Sequence, residues 1–258
     1  MSAFIIGASS GMGLALAHEH AKRGEPLWLV ARDEEELQKV AADLEIRYRA
    51  TVKTLVVDMA EAAGVQTLIK NYLDIQELPR LYLCAAAGTD YPDFLEKADK
   101  VQAVFQANSI GPIQFLNGIL PTLAQKGEGE VVVFSSVAAL KGKGNNPVYS
   151  ATKAAVAVYA EGMRNAMKAK GVQVTTVFPG FIDTSQTFGM GKLPFLHTVE
   201  GAAQDVVRAV DKGRDVVFTK WIWRFVMLAF QIMPGFVYNK MSFLDGADWQ
   251  RILGKDKK

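Results

Sequence analysis

Short apolar runs alternate with amphipathic helical patterns along most of the 258-residue chain. The apolar runs predict seven strands, at 3–6, 27–30, 54–57, 81–85, 130–134, 172–178 and 215–219. Segments with a 3.6-residue period predict six helices, at 13–23, 34–49, 65–73, 100–125, 149–169 and 200–212. Strands that alternate with helices form a parallel sheet wound on both faces, and continuous apolar strands are typical of such a sheet. We therefore predict one doubly wound α/β domain over 1–219.

Charge and cysteine content narrow the function classes. Lysine plus arginine number 29 and aspartate plus glutamate 27, so there is no basic excess for binding nucleic acid. The single cysteine, Cys84, allows no intrachain disulfide and fits a cytoplasmic protein. Its apolar strand predicts a small buried side chain. His18 and His20 do not share a helix face, so we predict no metal site and place them, with His197, at surface or boundary positions.

The first predicted strand ends in GASSGMG at 7–13. Glycines at this spacing allow a tight turn and a close approach of the backbone to a pyrophosphate at a helix N-terminus. Such a triplet can also be an ordinary turn, but its position after the first strand and before a helix favours dinucleotide binding. The predicted phosphate contacts are Gly7, Ser9, Ser10, Gly11, Met12 and Gly13.

The end of the second strand bears on which nicotinamide cofactor is bound. An acidic residue there would accept a hydrogen bond from the ribose 2′-hydroxyl and select NAD. Here the strand ends at Ala31, and Arg32 follows, which can pair with a 2′-phosphate. We therefore predict NADP(H). Arg32 could instead be a solvated loop residue beside Asp33 as a helix cap, and both roles are compatible.

Tyr149 and Lys153 are spaced i, i+4 and share one face of a predicted helix. Ser136 follows the fifth strand, and strand carboxyl ends line the active crevice in open α/β sheets. A nearby ammonium lowers the pKa of a tyrosine, so Tyr149 could donate a proton to a carbonyl oxygen that Ser136 holds. The pattern predicts interconversion of a ketone and an alcohol.

These motifs resemble the short-chain dehydrogenase/reductase family over essentially the whole chain. The matching pieces are GASSGMG at 7–13, Asp58, AAAG at 85–88, Asn108 in NSIGP, SS at 135–136, YSATK at 149–153 and PGFIDT at 179–184. The resemblance implies a Rossmann-type fold and an NADP-dependent oxidoreductase, and we expect a homodimer or homotetramer. One motif departs, because AAAG has alanine where the family has an asparagine that ties the sheet to the cofactor region. This puts a stability contribution in doubt but not the chemistry.

The resemblance also implies residue roles. Tyr149 would be the acid/base, Lys153 would lower its pKa and bind the nicotinamide ribose, Ser136 would orient the carbonyl, and Asn108 would maintain a water-linked proton relay with Lys153. The other implied cofactor contacts are Asp58 and Met59 at the adenine, Ile182 and Thr184 at the nicotinamide carboxamide and pyrophosphate, and Ala85, Ala86, Pro179 and Gly180.

The segment 220–258 predicts a hydrophobic C-terminal extension of the same structural unit. On a helix Lys220, Arg224 and Gln231 form one narrow polar stripe, and nearly all other side chains at 221–233 are apolar. Such a helix would be about 20 Å long, too short to cross a hydrocarbon core of roughly 30 Å. Three interpretations stay open: a core or dimer element, a lid over an apolar substrate pocket, or peripheral membrane contact through 220–241.

The extension also resembles the C-terminal end of bacterial reductases that act on a 2-keto pentose linked to polyprenyl phosphate. The shared features are GRDVVF, RFVM, a proline and an aromatic-rich stretch that ends in lysine. This resemblance implies a lipid-linked keto-sugar substrate. One alternative is a free hydrophobic ketone such as a sterol, retinoid or 3-keto lipid. Another is a non-catalytic nucleotide-sensing protein on the same fold.

Overall fold

The computed structural model describes residues 1–86, 99–142, 146–184, 187 and 193–238. Within these ranges one parallel sheet has the order β3-β2-β1-β4-β5-β6-β7. Its strands are β1 (Ala3–Ile6), β2 (Leu27–Ala31), β3 (Val52–Val56), β4 (Arg80–Leu83), β5 (Gly129–Phe134), β6 (Val172–Phe178) and β7 (Val216–Phe218). The predicted doubly wound class is confirmed. The strand order reverses between β1 and β4, and ligands bind at the carboxyl ends of strands at such a switch point.

Helices cover both faces of the sheet. The described helices are α1 (Gly11–Lys22), α2 (Glu34–Tyr48), α3 (Ala62–Leu73), α4 (Asp99–Phe105), α5 (Gly111–Lys126), α6 (Pro147–Met167), α7 (Val199–Asp211), α8 (Ile222–Ile232) and α9 (Gly235–Tyr238). Leu16 of α1, Leu37 of α2 and Val206 of α7 belong to one apolar core. Helices α3, α5 and α6 contribute to the core on the opposite face of the sheet.

The helix predicted at 100–125 is confirmed as a helical run over 99–126, but a π-helical turn at Gln106–Ile110, which was not predicted, lies between α4 and α5. This turn directs Asn108 and Ser109 into the interior, where both side chains are buried. The Asn108 Nδ2 donates to the Thr152 Oγ1 at 3.3 Å, and the Ser109 Oγ donates to the Thr152 carbonyl at 3.0 Å. Buried polar groups require such partners, and π-turns occur often at functional sites.

Side-chain caps set the starts of two helices. The Asp33 Oδ1 accepts from the Glu36 amide at 3.0 Å, so the predicted cap of α2 is confirmed. Helix α6 begins at Pro147, two residues before the predicted start. The Asn146 Oδ1 accepts from the Tyr149 amide at 3.3 Å, and proline suits the first helical turn. The asparagine cap therefore anchors the backbone of Tyr149 in the first turn of α6.

The prediction that His20 lies at the surface or its boundary is wrong. Its side chain is fully buried, with Nε2 2.9 Å from the Tyr82 hydroxyl and Nδ1 bonded to Glu25. Burial lowers the pKa of His20, although its hydrogen bond to the Glu25 carboxylate acts in the opposite direction. Beside it Arg80, also buried, pairs with Glu130 and Asp211.

The C-terminal extension is described as far as Tyr238. Trp223 and Met227 of α8 are buried in one apolar cluster with Val137 and Phe178. No helix in the described part of the chain is long and apolar enough to span a bilayer. Residues 239–258, which include the end of the predicted 220–241 contact, lie outside the described residues, as do 87–88 of the AAAG motif. The division into 1–219 and 220–258 stays a prediction.

Candidate active site

A cleft of about 360 Å³ lies at the carboxyl ends of the central strands. The predicted catalytic residues Ser136, Tyr149 and Lys153 line it. The predicted cofactor contacts that also line it are Gly7, Ser9, Ser10, Gly11, Met12, Gly13, Arg32, Asp58, Met59, Ala85, Ala86, Pro179, Gly180, Ile182 and Thr184. A larger depression, of about 570 Å³ around Trp28, brings none of these residues together. The central cleft is therefore the candidate site.

Asn108 is the one predicted site residue that does not line the cleft. Its side chain is buried and donates a hydrogen bond to Thr152, the residue that directly precedes Lys153. The role of Asn108 in a water-linked proton relay with Lys153 stays a prediction.

The glycine turn fits a pyrophosphate. A Cβ on Gly7 would lie 2.7 Å from the Ala85 nitrogen, and one on Gly13 would lie 2.0 Å from the Gly7 carbonyl oxygen, so both glycines are needed for close packing. Gly11 has a φ of +52°, and a Cβ there would meet only the Thr184 Cγ2, at 3.9 Å. Ser10, the N-cap of α1, makes no side-chain capping bond. The first amides of the helix are therefore available to a phosphate.

The predicted adenosine end of the cleft lies at β2 and β3. Arg32 is exposed directly after β2, next to the buried Ala31. The Asp58 Oδ1 accepts from the Ala60 amide at 2.8 Å, which fixes the turn after β3, and Met59 is buried beside it. A cationic and an amide-anchored acidic side chain thus flank this end of the cleft.

Tyr149 and Lys153 project from α6 one turn apart. The Lys153 side chain is only 2% exposed, and its Nζ donates to the Phe134 carbonyl at 3.0 Å. The same Nζ lies 5.8 Å from the centre of the Tyr149 ring. The Ser136 Oγ accepts from the Ala138 amide at 3.1 Å, which holds this side chain at the end of β5.

The pKa of Tyr149 is raised by burial, and a hydrogen bond with Ser136 acts in the opposite direction. Lys153, which was predicted to lower the pKa of Tyr149, is not among the groups that shift it. The physical reason is that Lys153 directs its Nζ at the Phe134 carbonyl and is itself buried. Burial lowers the pKa of Lys153 to about 8. Its role as partner of a phenolate stays a prediction.

Three residues of the site were not predicted from the sequence. The Ser135 Oγ donates to the Lys153 carbonyl at 2.8 Å, and the Thr152 Oγ1 donates to the Tyr149 carbonyl at 2.8 Å. Thr187 lines the cleft, and its Oγ1 donates to the Ile182 carbonyl at 2.7 Å. The Ser135 bond joins residues 18 apart in sequence, the Thr187 bond lies within a loop, and the Thr152 bond lies within α6; no apolar periodicity marks any of these hydroxyls.

Cys84 lines the cleft and is half-buried. Burial raises the pKa of its thiol, although the positive charge of Lys153 acts in the opposite direction. The predicted buried position in a strand is wrong, because Cys84 is half-buried and directly follows β4, at the wall of the cleft.

Comparison with known proteins adds independent findings. A family model described as short chain dehydrogenase matches residues 1–190. An uncharacterized oxidoreductase of Mycobacterium tuberculosis is 28% identical over 238 residues, covering 92% of this chain and 95% of the relative. The very-long-chain 3-oxoacyl-CoA reductase-A of Danio rerio is 28% identical over 189 residues, covering 72% of this chain and 59% of that relative.

A short-chain dehydrogenase from Sphingobium yanoikuyae, solved in complex with NADPH, has a similar structure. Its TM-score is 0.74 at 23% identity, and the match covers 100% of this chain and 96% of that chain. This likeness confirms the fold. The family match extends over the glycine turn and over the helix that carries Tyr149 and Lys153. Because it takes in residues 1–190 of 258, the chain belongs to the short-chain dehydrogenase family and is an oxidoreductase.

Proposed function

We propose that this protein reduces a ketone to a secondary alcohol with NADP(H). One observation carries the proposal: Ser136, Tyr149 and Lys153 line the same cleft as the glycine turn. Hydride transfer to a carbonyl requires a cofactor-binding cradle and a proton donor in one cleft.

In the proposed reaction NADPH, when bound, supplies the hydride. Ser136 holds the carbonyl oxygen, and Tyr149 donates a proton to it from its hydroxyl. Lys153 binds the nicotinamide ribose and favours the phenolate that forms. Asn108 maintains the supply of protons through water.

Arg32 supports NADP(H) over NAD(H). It lies on the cleft wall directly after Ala31, the position where NAD-selective enzymes carry an acid, and its guanidinium can pair with the 2′-phosphate. The Sphingobium yanoikuyae relative binds NADPH on the same fold.

The proposed substrate is hydrophobic or lipid-linked, with a polyprenyl-phosphate keto-sugar as the specific candidate. The support is an apolar cluster beside the cleft, in which Trp223 packs against Val137, Phe178 and Phe181. A free hydrophobic ketone is the alternative, favoured by the name of the Danio rerio relative, a reductase of very-long-chain 3-oxoacyl-CoA. We further propose that the protein is a homodimer or homotetramer. We propose that it resides in the cytoplasm and contacts the membrane peripherally through the extension.

Turnover with NADPH and a series of ketones tests the chemistry. Tyr149→Phe removes the donated proton and should lower turnover by about two to four orders of magnitude, with little change in NADPH affinity. Tyr159→Phe is the matched control, because Tyr159 is on the same helix and its hydroxyl bonds Asn117 at 2.9 Å.

Near-normal turnover by Tyr149→Phe would show that another group donates the proton. NADPH binding by the wild type without turnover of any ketone would favour the nucleotide-sensing alternative.

A further inference from the structure

The outer face of α8 presents a continuous line of apolar side chains. Trp221, Phe225, Leu228 and Ile232 are 73%, 58%, 55% and 76% exposed, and we call these four residues the outer stripe. Their spacing of four, three and four residues places them on one side of a helix. The Trp221 and Phe225 rings pack edge to face at 5.9 Å.

The helix that carries the outer stripe is held in place at both ends. The Lys220 Nζ donates to the Leu196 carbonyl at 2.8 Å, before α8 begins. Beyond its end the Tyr238 hydroxyl donates to the Gly142 carbonyl at 2.8 Å. Trp223 on the inner face packs edge to face on Phe195 at 5.8 Å. The exposed stripe therefore belongs to a fixed surface.

The charged side chains of 216–238 are all basic. No aspartate or glutamate occurs in this segment, whereas Lys220 directly precedes Trp221 and Arg224 directly precedes Phe225. Arg224 is exposed. Cations beside tryptophan and phenylalanine on an amphipathic helix are typical of helices that lie in the interface of an anionic bilayer.

A second copy of the chain fits this surface less well. In a twofold contact of stripe on stripe, 216–238 offers no acid that could pair with Lys220 or Arg224 of the other copy. The four side chains expose on the order of 500 Å², below the roughly 800 Å² that each partner buries in a stable interface.

We propose that the outer stripe binds an anionic lipid surface, with α8 lying in the plane of the interface. Leu196 lies between β6 and α7, and Gly142 between β5 and α6, and both connections leave strands that end at the cleft. Lipid bound to the stripe would therefore lie beside the cleft. That this delivers a hydrophobic carbonyl substrate from the bilayer rests on the proposed function.

Co-sedimentation of the full chain with vesicles tests the surface. Vesicles of phosphatidylcholine alone are compared with vesicles that contain phosphatidylglycerol. We expect the wild type to prefer the anionic vesicles and Phe225→Ser to weaken this binding about tenfold. Arg224→Gln should weaken it about fivefold on anionic vesicles only.

Ile46→Ser is the matched control, since Ile46 is 83% exposed on α2. It should leave vesicle binding unchanged. Circular dichroism of each variant shows whether it is folded.

Three results would overturn the lipid surface: a wild type that ignores anionic vesicles, an Ile46→Ser effect as large as that of Phe225→Ser, or oligomers that ignore vesicles and dissociate on Phe225→Ser. The last result would assign the stripe to a second copy. NADPH-dependent turnover of a small ketone, measured without vesicles, tests the proposed function separately. Its failure in a protein that binds vesicles would reject the reaction but leave the surface intact.

Discussion

At the residue scale, Arg32 is the side chain that we predict to set the cofactor preference. It is exposed on the cleft wall directly after β2, and no acid occupies position 31. A 2′-phosphate paired with its guanidinium would gain charge-assisted hydrogen bonds that a 2′-hydroxyl cannot supply.

Arg32→Ala should weaken NADPH binding by about tenfold to hundredfold and leave NADH binding nearly unchanged. Fluorescence titration with each cofactor measures the two affinities. Arg208→Ala, at an exposed position on α7, serves as the control. Tighter binding of NADH than NADPH by the wild type would contradict the assignment.

Lys153 links its burial to a pH dependence of stability. Its pKa falls from 10.5 to about 8 on burial, so between these pH values the folded state binds fewer protons than the unfolded state. The contribution of Lys153 to the free energy of unfolding therefore rises with pH in this window. Below about pH 8 Lys153 is charged in both states, and burying that charge lowers the free energy of unfolding by its full amount.

Lys153→Met should remove this dependence. Relative to the wild type, the variant should lose stability as pH rises from about 8 to 10.5, by up to roughly 1.4 kcal/mol per pH unit. Urea unfolding at several pH values measures the difference. A difference that stays constant across the window would mean that burial leaves the Lys153 pKa unshifted.

At the element scale, one buried arginine connects three parts of the fold. Arg80 on β4 is 5% exposed and pairs with Glu130 on β5 and, at 2.7 Å, with Asp211 at the end of α7. Arg23, just after α1, reaches the same Asp211 at 2.9 Å from a position that is 30% exposed. Asp211 therefore forms one ion pair with a buried arginine, Arg80, and another with a more accessible one, Arg23.

Arg80→Met should lower the free energy of unfolding by about 1.5–3 kcal/mol, because it removes the buried cation that bonds two partly exposed carboxylates. Arg23→Met should cost about 1 kcal/mol or less, since solvent screens the pair. Urea unfolding of both variants gives the comparison. Equal effects would argue against burial as the source of the difference.

At the scale of the whole molecule, α8 joins the extension to the domain. Trp223 is 5% exposed, and its indole lies so close to Gly180 that a Cβ there would come within 1.9 Å of Nε1. That Nε1 has no hydrogen-bond partner among the described atoms. The contribution of Trp223 is therefore packing. Trp221, two residues earlier, is 73% exposed.

Trp223→Leu should lower the free energy of unfolding by about 2–4 kcal/mol through the cavity it leaves, and the whole domain should unfold earlier in one transition. Trp221→Leu should change it by less than about 0.5 kcal/mol. Thermal unfolding followed by circular dichroism compares them. An unchanged main transition in Trp223→Leu would mean that the extension unfolds independently of 1–219.

The strands, most helices, the glycine turn and the Tyr149–Lys153 pair could be predicted from the sequence because each depends on local geometry. A period of 3.6 residues marks a helix, and a spacing of four places two side chains on one of its faces. The π-turn at Gln106–Ile110 was not predicted. Its Asn108 donates to Thr152, which is 44 residues away in the chain, and no local pattern marks such a contact.

Only the tertiary structure decided which side chains meet. The order of the strands brings the loop after β5 and the glycine turn to one cleft. The buried His20 is hydrogen-bonded to the Tyr82 hydroxyl, 62 residues away in the chain. The amphipathic pattern of α8 shows that one face must be covered, but the fold selects Trp223 for burial and leaves Trp221 exposed. The physical reason is that apolar periodicity is local, whereas burial and hydrogen-bond partners depend on segments that folding brings together.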